Sequence, residues 1–295
     1  LPSSSKKSQF QRIYLEIGNV CNLQCSFCPE VDRAKARLDK ESFSALLAQL
    51  KPYAEFVCFH VMGEPLAHPE FPLFVQIASE LGVPVEITTN GTLLSETHIE
   101  SLLNPIIRQV NFSLQSYFDN FPTANPEAYL AKIFAFCHRA LQERPELYLN
   151  FRLWNLAPGE VRDDLNEKLL LRIESEFAVS INRNVDARLI KSKKLLGRLY
   201  MHYDTRFRWP DPADPILREQ GTCWGTRAHI AVHADGTVVP CCLDKEARIP
   251  LGNLRTQKLS EVLESPRYLA MKKGFENGKL VEDLCRRCDY ASRFA

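Results

Sequence analysis

Along the first 180 residues the apolar positions switch repeatedly between a period of two and a period near 3.6. Ile13, Leu15 and Ile17 take every second position, as on a strand with one buried face. Phe43, Leu46, Leu47 and Leu50 recur at helical spacing and predict a helix over 38–50. An apolar run over 56–61 predicts a buried strand, and a helix follows over 71–81, stopped by Gly82. Strands are then expected over 83–88, 106–114 and 147–153. Helices are expected from the Ser95 cap to Leu103, over 127–142 and over 165–177, with a last short strand at 179–181.

Strands alternating with helices predict a parallel sheet covered by helices. About six such units, not eight, predict a partial (β/α)6 barrel, whose working residues belong at the C-terminal ends of the strands. After residue 182 the rhythm fails. Residues 203–215 gather Tyr203, Phe207, Trp209, Pro210, Pro212 and Pro215, so 184–221 reads as a linker or lid. Beyond it, His233–Gly236 reads as a hairpin turn feeding a strand toward Cys241, and helical patterns follow over 259–263 and 267–275. The expected organisation is a disordered lead-in at 1–9, a barrel at 10–183, the linker at 184–221 and a small α+β module at 222–295.

Composition narrows the class. The 295 residues are 45% hydrophobic and 25% charged with a net charge of +1, which suits a globular protein and gives no electrostatic footprint for nucleic acid. The one dense basic run, Lys191-Ser192-Lys193-Lys194, reads as a solvated face. No stretch is long and apolar enough for a membrane helix, and the start lacks the apolar core of a signal peptide. Ten cysteines without such a signal point to a reducing cytoplasm and to metal ligation. Cys58 and Cys137 lie inside apolar patterns and read as small core residues.

Three cysteines fall within eight residues, Cys21-Asn22-Leu23-Gln24-Cys25-Ser26-Phe27-Cys28. They are too close for a disulfide framework but can wrap one compact metal or iron–sulfur centre. Three ligands leave one coordination position open for chemistry. A structural zinc site is the alternative, though zinc usually closes with four ligands. The C-x3-C-x2-C spacing, with Phe27 before the last cysteine, resembles the radical S-adenosylmethionine (SAM) superfamily. The resemblance implies a 4Fe–4S cluster whose unique iron is chelated by SAM. One-electron cleavage then gives a 5′-deoxyadenosyl radical that abstracts hydrogen from the substrate. It also implies an electron donor such as flavodoxin or ferredoxin.

Further segments resemble the family's SAM-binding positions. Gly63-Glu64-Pro65 stands where a Gly-Gly-Glu or related segment meets the methionine ammonium, with Met62 in place of the first glycine. Thr89 and Asn90 belong to the strand-end Thr88-Thr89-Asn90-Gly91. Ser113 and Gln115 end the fourth strand, Gln115 replacing an acid that relatives often carry. Arg152 and Asn155 end the fifth, where an arginine would pair with the methionine carboxylate, bind an anionic substrate or make a structural ion pair. Phe27 would flank the adenine. Taken alone, Gly-Glu-Pro and Asn-Gly are also ordinary turn signals.

Five further cysteines lie in the last 75 residues. Cys223, Cys241, Cys285 and Cys288 come from three separated segments and suit a closed metal site. Gly236, five residues before Cys241, matches the G-x4-C of the family's SPASM extension and favours Cys241 over Cys242. With no cysteine after Cys288, the resemblance is to the shortened "twitch" form with one auxiliary 4Fe–4S cluster; zinc is the alternative. A fully ligated auxiliary cluster suits electron transfer and a net oxidation. The expected substrate is a small molecule such as an amino sugar, a cyclitol or a nucleobase-like metabolite, because only about nine residues precede the first strand. A peptide or protein side chain is the second expectation, and a non-catalytic zinc or iron–sulfur protein the third. Among His60, His68, Tyr117, Arg152 and Tyr203, no residue is singled out as a general base.

Overall fold

The computed structural model describes residues 8–156, 164–206 and 208–290. In chain order the elements are β1 (Phe10–Leu15), α1 (Lys40–Leu50), β2 (Ala54–Cys58), α2 (Phe71–Leu81), β3 (Val85–Thr89), α3 (Glu96–Leu102), β4 (Ile107–Ser113), α4 (Leu114–Asn120), α5 (Glu127–Glu143) and β5 (Tyr148–Leu156). They continue with α6 (Asp164–Phe177), β6 (Ser192–Leu196), β7 (Leu199–Thr205), β8 (His229–Val232), β9 (Thr237–Val239), β10 (Gly252–Asn253), α7 (Leu259–Leu263), α8 (Pro266–Glu276) and α9 (Asp283–Arg287). One sheet runs through the described residues in the order β10-β9-β8-β1-β2-β3-β4-β5-β7-β6. β1 to β5 and β7 are parallel neighbours, the open six-stranded core expected from the strand–helix rhythm.

Local chemistry sets the helix ends. Asp39 accepts a hydrogen bond from the Ser42 N–H at the start of α1, and Ser95 does the same for His98 in α3. Gly82 stops α2 in the left-handed conformation at φ 66°. The apolar faces then pack on the sheet: Phe43 of α1 stacks on Phe74 of α2 at 4.0 Å between ring centres.

The two faces of the core strands differ in chemistry. Ile13, Leu15, Val85, Ile87, Val110, Phe112, Phe151, Leu199 and Met201 are fully buried. Burial of each such side chain stabilises the fold by about 1.5–3 kcal/mol. The intervening positions, among them Arg12, Tyr14, Glu86, Thr88, Arg152, His202 and Asp204, face a cavity. The barrel strands therefore give the cavity a polar wall, while Leu243, Ile249, Phe275, Leu280 and Leu284 give it an apolar one.

Three expectations change. No strand forms at 179–181; there the Ile181 N–H is tied to the Glu174 carboxylate at 2.6 Å. The sixth parallel strand is β7, and β6 folds back on it, so the segment read as a linker contributes a hairpin to the sheet and the strands continue past residue 183. The Lys191–Lys194 run lies largely on β6, an exposed strand at the sheet edge, where charge discourages pairing with other chains. At the opposite edge β8 pairs parallel with β1, so the cysteine-rich module continues the same sheet. Most of the expected lead-in, residues 1–7, and Phe207 of the expected lid lie outside the described residues. No helix among the described residues is long and apolar enough to cross a membrane.

Candidate active site

The cysteine loop leaves β1 and lies over the strand ends. Its backbone is held from α4: Asp119 accepts from the Ser26 N–H at 2.5 Å and from Ser26 Oγ at 2.6 Å, and Asn120 Oδ1 accepts from the Gln24 N–H at 2.9 Å. Asn120 Nδ2 also donates to Cys25 Sγ at 3.2 Å. On the other side Asn90 Nδ2 donates to Asn22 Oδ1 at 3.0 Å and reaches Cys21 Sγ at 3.9 Å. Burial and then the neighbouring thiols of Cys25 and Cys21 push the Cys28 thiol up to about 12. Three thiols that disfavour one another's ionisation suit a cationic centre, which would draw all three to thiolate.

Gly63, Glu64, Pro65, Thr89 and Asn90 gather beside this loop. Gly63 has φ +82°, and a Cβ there would stand 2.5 Å from the Gly18 carbonyl oxygen, so glycine is required. The Glu64 N–H donates to the Val20 carbonyl at 3.0 Å, tying the loop after β2 to the residue before Cys21. The buried Glu64 carboxylate accepts from Thr89 Oγ1 at 2.6 Å, from the Leu66 N–H at 3.0 Å and from the Asn90 N–H at 2.7 Å. Burial raises its pKa and these donors oppose the rise. Protein donors thus take most of the acceptor capacity that the sequence reading reserved for an ammonium. Pro65 opens a one-turn helix directly after it.

The other expected residues separate. Ser113 ends β4 with Arg152 as its register partner on β5, and Gln115 opens α4 with Oε1 buried and unpartnered. Asn155 is paired with Asn166 by reciprocal side-chain hydrogen bonds of 3.2 and 3.3 Å. Phe27 lies under Arg206 at 5.8 Å, and its carbonyl accepts from Trp209 Nε1 at 3.1 Å. These two contacts fold the segment after β7 over the cysteine loop.

Arg152 lies deeper, in a cavity of about 490 Å³. Barrel side chains line one part of it, and Cys223, Cys241, Cys285 and Cys288 line another. Burial, then Cys242, Cys223, Cys285 and Cys288, push the Cys241 thiol well up, so the four expected ligands face one another. Cys242 also lines the cavity but bonds to Tyr14 and lies near Arg12. Among the described residues no three His, Cys, Asp or Glu side chains converge tightly enough for a single ion. The thiols instead ring a space, as a multi-iron cluster needs, and such a cluster would fill part of the cavity.

Several site residues carried no signal in the sequence. Asp119 and Asn120 follow a strand end in an unremarked helix. Glu16, fully buried after β1, accepts from Arg33 Nη2 at 2.9 Å, from the Met62 N–H and from the Ala234 N–H, both at 3.2 Å. It thereby clamps β1, β2 and the C-terminal module together. A glutamate inside the alternation of Ile13, Leu15 and Ile17 was the available hint. A second clamp joins Glu246 to the N–H groups of Asp32 and Arg33 at 3.0 and 3.2 Å.

An open parallel barrel with a three-cysteine loop at its strand ends, joined to a four-cysteine module, defines a class of cluster-bearing α/β enzyme. The sequence profile of the Radical SAM superfamily matches residues 15–169, and that of the SPASM iron–sulfur cluster-binding domain matches residues 223–289. The chain belongs to the Radical SAM superfamily: it is a radical SAM enzyme, using SAM with a 4Fe–4S cluster and carrying an auxiliary iron–sulfur domain. It is 32% identical over 127 residues to the tungsten-containing aldehyde ferredoxin oxidoreductase cofactor-modifying protein of Pyrococcus furiosus, covering 42% of this chain and only 35% of that protein. It is 23% identical to a PqqA peptide cyclase of Rhizobium meliloti, over 93% of this chain and 78% of the relative. It is 22% identical to the SAM-dependent 2-deoxy-scyllo-inosamine dehydrogenase of Niallia circulans, over 96% of this chain and 94% of the relative. Among solved structures it shares its fold with BtrN in complex with AdoMet and 2-DOIA, at a TM-score of 0.57 and 18% identity over 95% of this chain and 93% of that one. It likewise shares its fold with Streptococcus suis SuiB bound to precursor peptide SuiA, at 0.63 and 14% over 96% and 71%.

Proposed function

We propose that this enzyme oxidises a small polar molecule held in the chamber lined by the barrel strands and the auxiliary cysteines. In this reading the strands through β7 form the SAM-binding core and residues 222–290 the auxiliary module. Cys21, Cys25 and Cys28 hold the SAM-binding cluster; Cys223, Cys241, Cys285 and Cys288 hold the auxiliary one. SAM and the reduced cluster supply hydrogen-atom abstraction through a 5′-deoxyadenosyl radical, with the electron drawn from a donor such as flavodoxin or ferredoxin.

The carrying observation is that one cavity is lined both by inward side chains of the barrel strands and by all four auxiliary cysteines. A substrate there lies against the auxiliary centre, where a carbon radical bearing oxygen or nitrogen can lose its electron to complete a two-electron oxidation. The cavity of about 490 Å³ must hold the auxiliary cluster as well, so the space left beside it suits a small molecule. The chain's own part is to hold the loop through Asp119, Asn120 and Asn90, to fix the strand ends through Glu64, and to cover the loop with Trp209 and Arg206. The 2-deoxy-scyllo-inosamine dehydrogenase relative, matched over nearly its whole length, supports the small-molecule reading.

A second reading, a peptide side chain as substrate, draws on a more open hollow of about 480 Å³ beside Phe27, Arg206, Arg208 and Trp209, and on the peptide cyclase relative.

Anaerobic reconstitution tests the proposal. About eight irons per chain, falling to about four when Cys21, Cys25 and Cys28 are all changed to Ala, is the expected count for two four-iron clusters. Wild type given SAM and dithionite should release 5′-deoxyadenosine, and a matching polar metabolite should raise that release and emerge two hydrogens poorer. Release stimulated by peptides and by no small molecule would favour the second reading. No release, or zinc in place of iron, would overturn both.

A further inference from the structure

Resting on the reading of the chamber as the substrate site, we infer that its ligand carries an oxyanion, a carboxylate or a phosphate, seated on the Arg152 guanidinium. Arg12, Arg152 and Lys191 bring positive charge to the cavity, and Glu86, Asp204 and Asp244 bring negative charge. All three carboxylates are already engaged: Glu86 is paired with Arg108 at 2.8 Å, Asp204 with Lys191 at 2.8 Å, and Asp244 accepts from the Arg248 and Ile249 N–H groups at 2.7 and 2.8 Å. Among the described residues neither Arg12 nor Arg152 has a carboxylate within ion-pair distance. Glu86 acts on both from beyond that distance, and a ligand oxyanion in direct contact would offset the remaining cost of holding a partly buried guanidinium there.

The unmet hydrogen-bonding capacity points the same way. Arg152 gives one long bond, Nη1 to Thr88 Oγ1 at 3.3 Å, and its Nε–H has no acceptor. The guanidinium lies over the Trp154 ring at 4.6 Å, which fixes its plane. A planar fork with its Nε edge open matches two oxygens of a carboxylate or phosphate side-on. His60 Nδ1, Trp154 Nε1 and His202 Nδ1 are also buried without partners, and their residues line the same cavity. The ligand is therefore polar beyond its anionic group. Burial, then Arg152, holds His60 near 3 and His202 near 4, so both rings are neutral and each can donate one hydrogen bond and accept another.

The SAM carboxylate is the competing counter-ion. Arg152 shares its cavity with the auxiliary cysteines, and none of Cys21, Cys25, Cys28, Gly63 or Glu64 lines that space. This places the guanidinium on the substrate side.

The experiment uses reconstituted holoenzyme saturated with SAM under anaerobic conditions, titrated calorimetrically with malonate, inorganic phosphate and uncharged malonamide. Malonate or phosphate should bind, with malonamide at least about tenfold weaker; which anion binds tells acid from phosphate ester. Arg152→Gln should weaken anion binding at least about tenfold, and Arg152→Lys should retain part of it. Arg198→Gln, at a surface arginine lying over Tyr148, should bind as wild type. Malonate should also protect Arg152 of the wild-type protein from phenylglyoxal, a readout that needs no variant. Absence of anion binding together with absence of protection overturns the inference, as does unchanged binding by a folded Arg152→Gln. Competition between malonate and SAM in wild type, with SAM affinity lost in Arg152→Gln, would assign the guanidinium to SAM and overturn it too. Failure to load clusters or bind SAM at all would instead strike the proposed function.

Discussion

Thr89 Oγ1 donates to Glu64 Oε1 at 2.6 Å, and the Asn90 N–H donates to the second oxygen of the same carboxylate at 2.7 Å. The end of β3 is thus fastened to the loop after β2 through one buried acid, beside the cysteine loop. Glu64→Ala removes the acceptor from three donors, counting the Leu66 N–H. A buried donor left unpaired costs about 1–3 kcal/mol, so the variant should lose about 3 kcal/mol or more in urea unfolding. Thr89→Val, which removes one donor to Glu64 and leaves the Gly91 N–H without its acceptor at 2.9 Å, should lose about 1–3 kcal/mol.

Gly63→Ala should act on one cluster alone. Its backbone lies in the left-handed region, and a Cβ would meet the Gly18 carbonyl oxygen at 2.5 Å and Val20 N and O at 3.0 Å. Relief requires the chain just before Cys21 to move. Iron should therefore fall from about eight toward about four per chain, the loss of one four-iron cluster, with the remaining four still reducible and 5′-deoxyadenosine release abolished. Iron retained at the wild-type level would show that the loop tolerates the shift.

Asp119 gives a milder version of the same effect. It fixes Ser26 through both backbone and side chain, from a helix remote in sequence. Asp119→Ala should leave global stability within about 1–2 kcal/mol, since the contacts are exposed. It should nevertheless slow reconstitution of the SAM-binding cluster and raise the SAM concentration needed for half-maximal cleavage. Reconstitution at the wild-type rate would show that the cysteines hold their own geometry.

How far the sequence could be read varies by element. Helix α2 was legible at both ends because its apolar face is regular and Gly82 takes the one conformation a stop needs. The Cys21–Cys28 group stood out because its spacing is local, whereas Cys223, Cys241, Cys285 and Cys288 are spread over three segments that only the fold brings to one cavity. Strand β7 was not. Its buried Leu199, Met201 and Tyr203 alternate properly, but His202 and Asp204 between them face the chamber and break the look of a core strand. Helix α4 was missed for a related reason: it starts directly after β4 with no side-chain cap, and its hydrogen bonds to the cysteine loop come from about ninety residues away in sequence. Glu64 shows a different limit. A Gly-Glu-Pro turn announces an acid at a strand end, but only the fold reveals that protein donors already occupy it.

The neutral histidines of the chamber give a pH dependence with a definite sign. Burial, with help from Arg12 or Arg152, depresses His60 to about 3 and His202 and His229 to about 4. In the unfolded chain each titrates near 6.5. Between those values the unfolded state binds protons that the native state refuses, so native stability is full above about pH 7 and falls as the pH drops toward 4. The slope is at most about 1.4 kcal/mol per pH unit for each histidine. Scanning calorimetry from pH 7.5 to pH 5 should show Tm falling, and His60→Asn should flatten the curve. A Tm independent of pH would mean that water reaches these rings freely.

Cys241 and Cys242 are adjacent in sequence but face different partners, and this yields a test that separates ligation from mere proximity. Cys241 lies near Cys223, Cys285 and Cys288, whereas Cys242, also near Cys223, is hydrogen-bonded to Tyr14 on β1 and lies near Arg12. Cys241→Ala should cost the auxiliary cluster, leaving about four irons of about eight. Cys242→Ala should keep all of them and lose only a thiol packed beside Tyr14, Trp209 and Ala247 at a small cluster of Val61, Met62, Ala231 and Val239. Its stability cost should stay near about 1 kcal/mol, because the site is small and partly polar. Cys241→Ala with full iron, coupled with loss in Cys242→Ala, would show that the two thiols exchange places around the cluster. Loss in both variants would mean that the Tyr14–Cys242 contact positions the strand end that delivers Cys241.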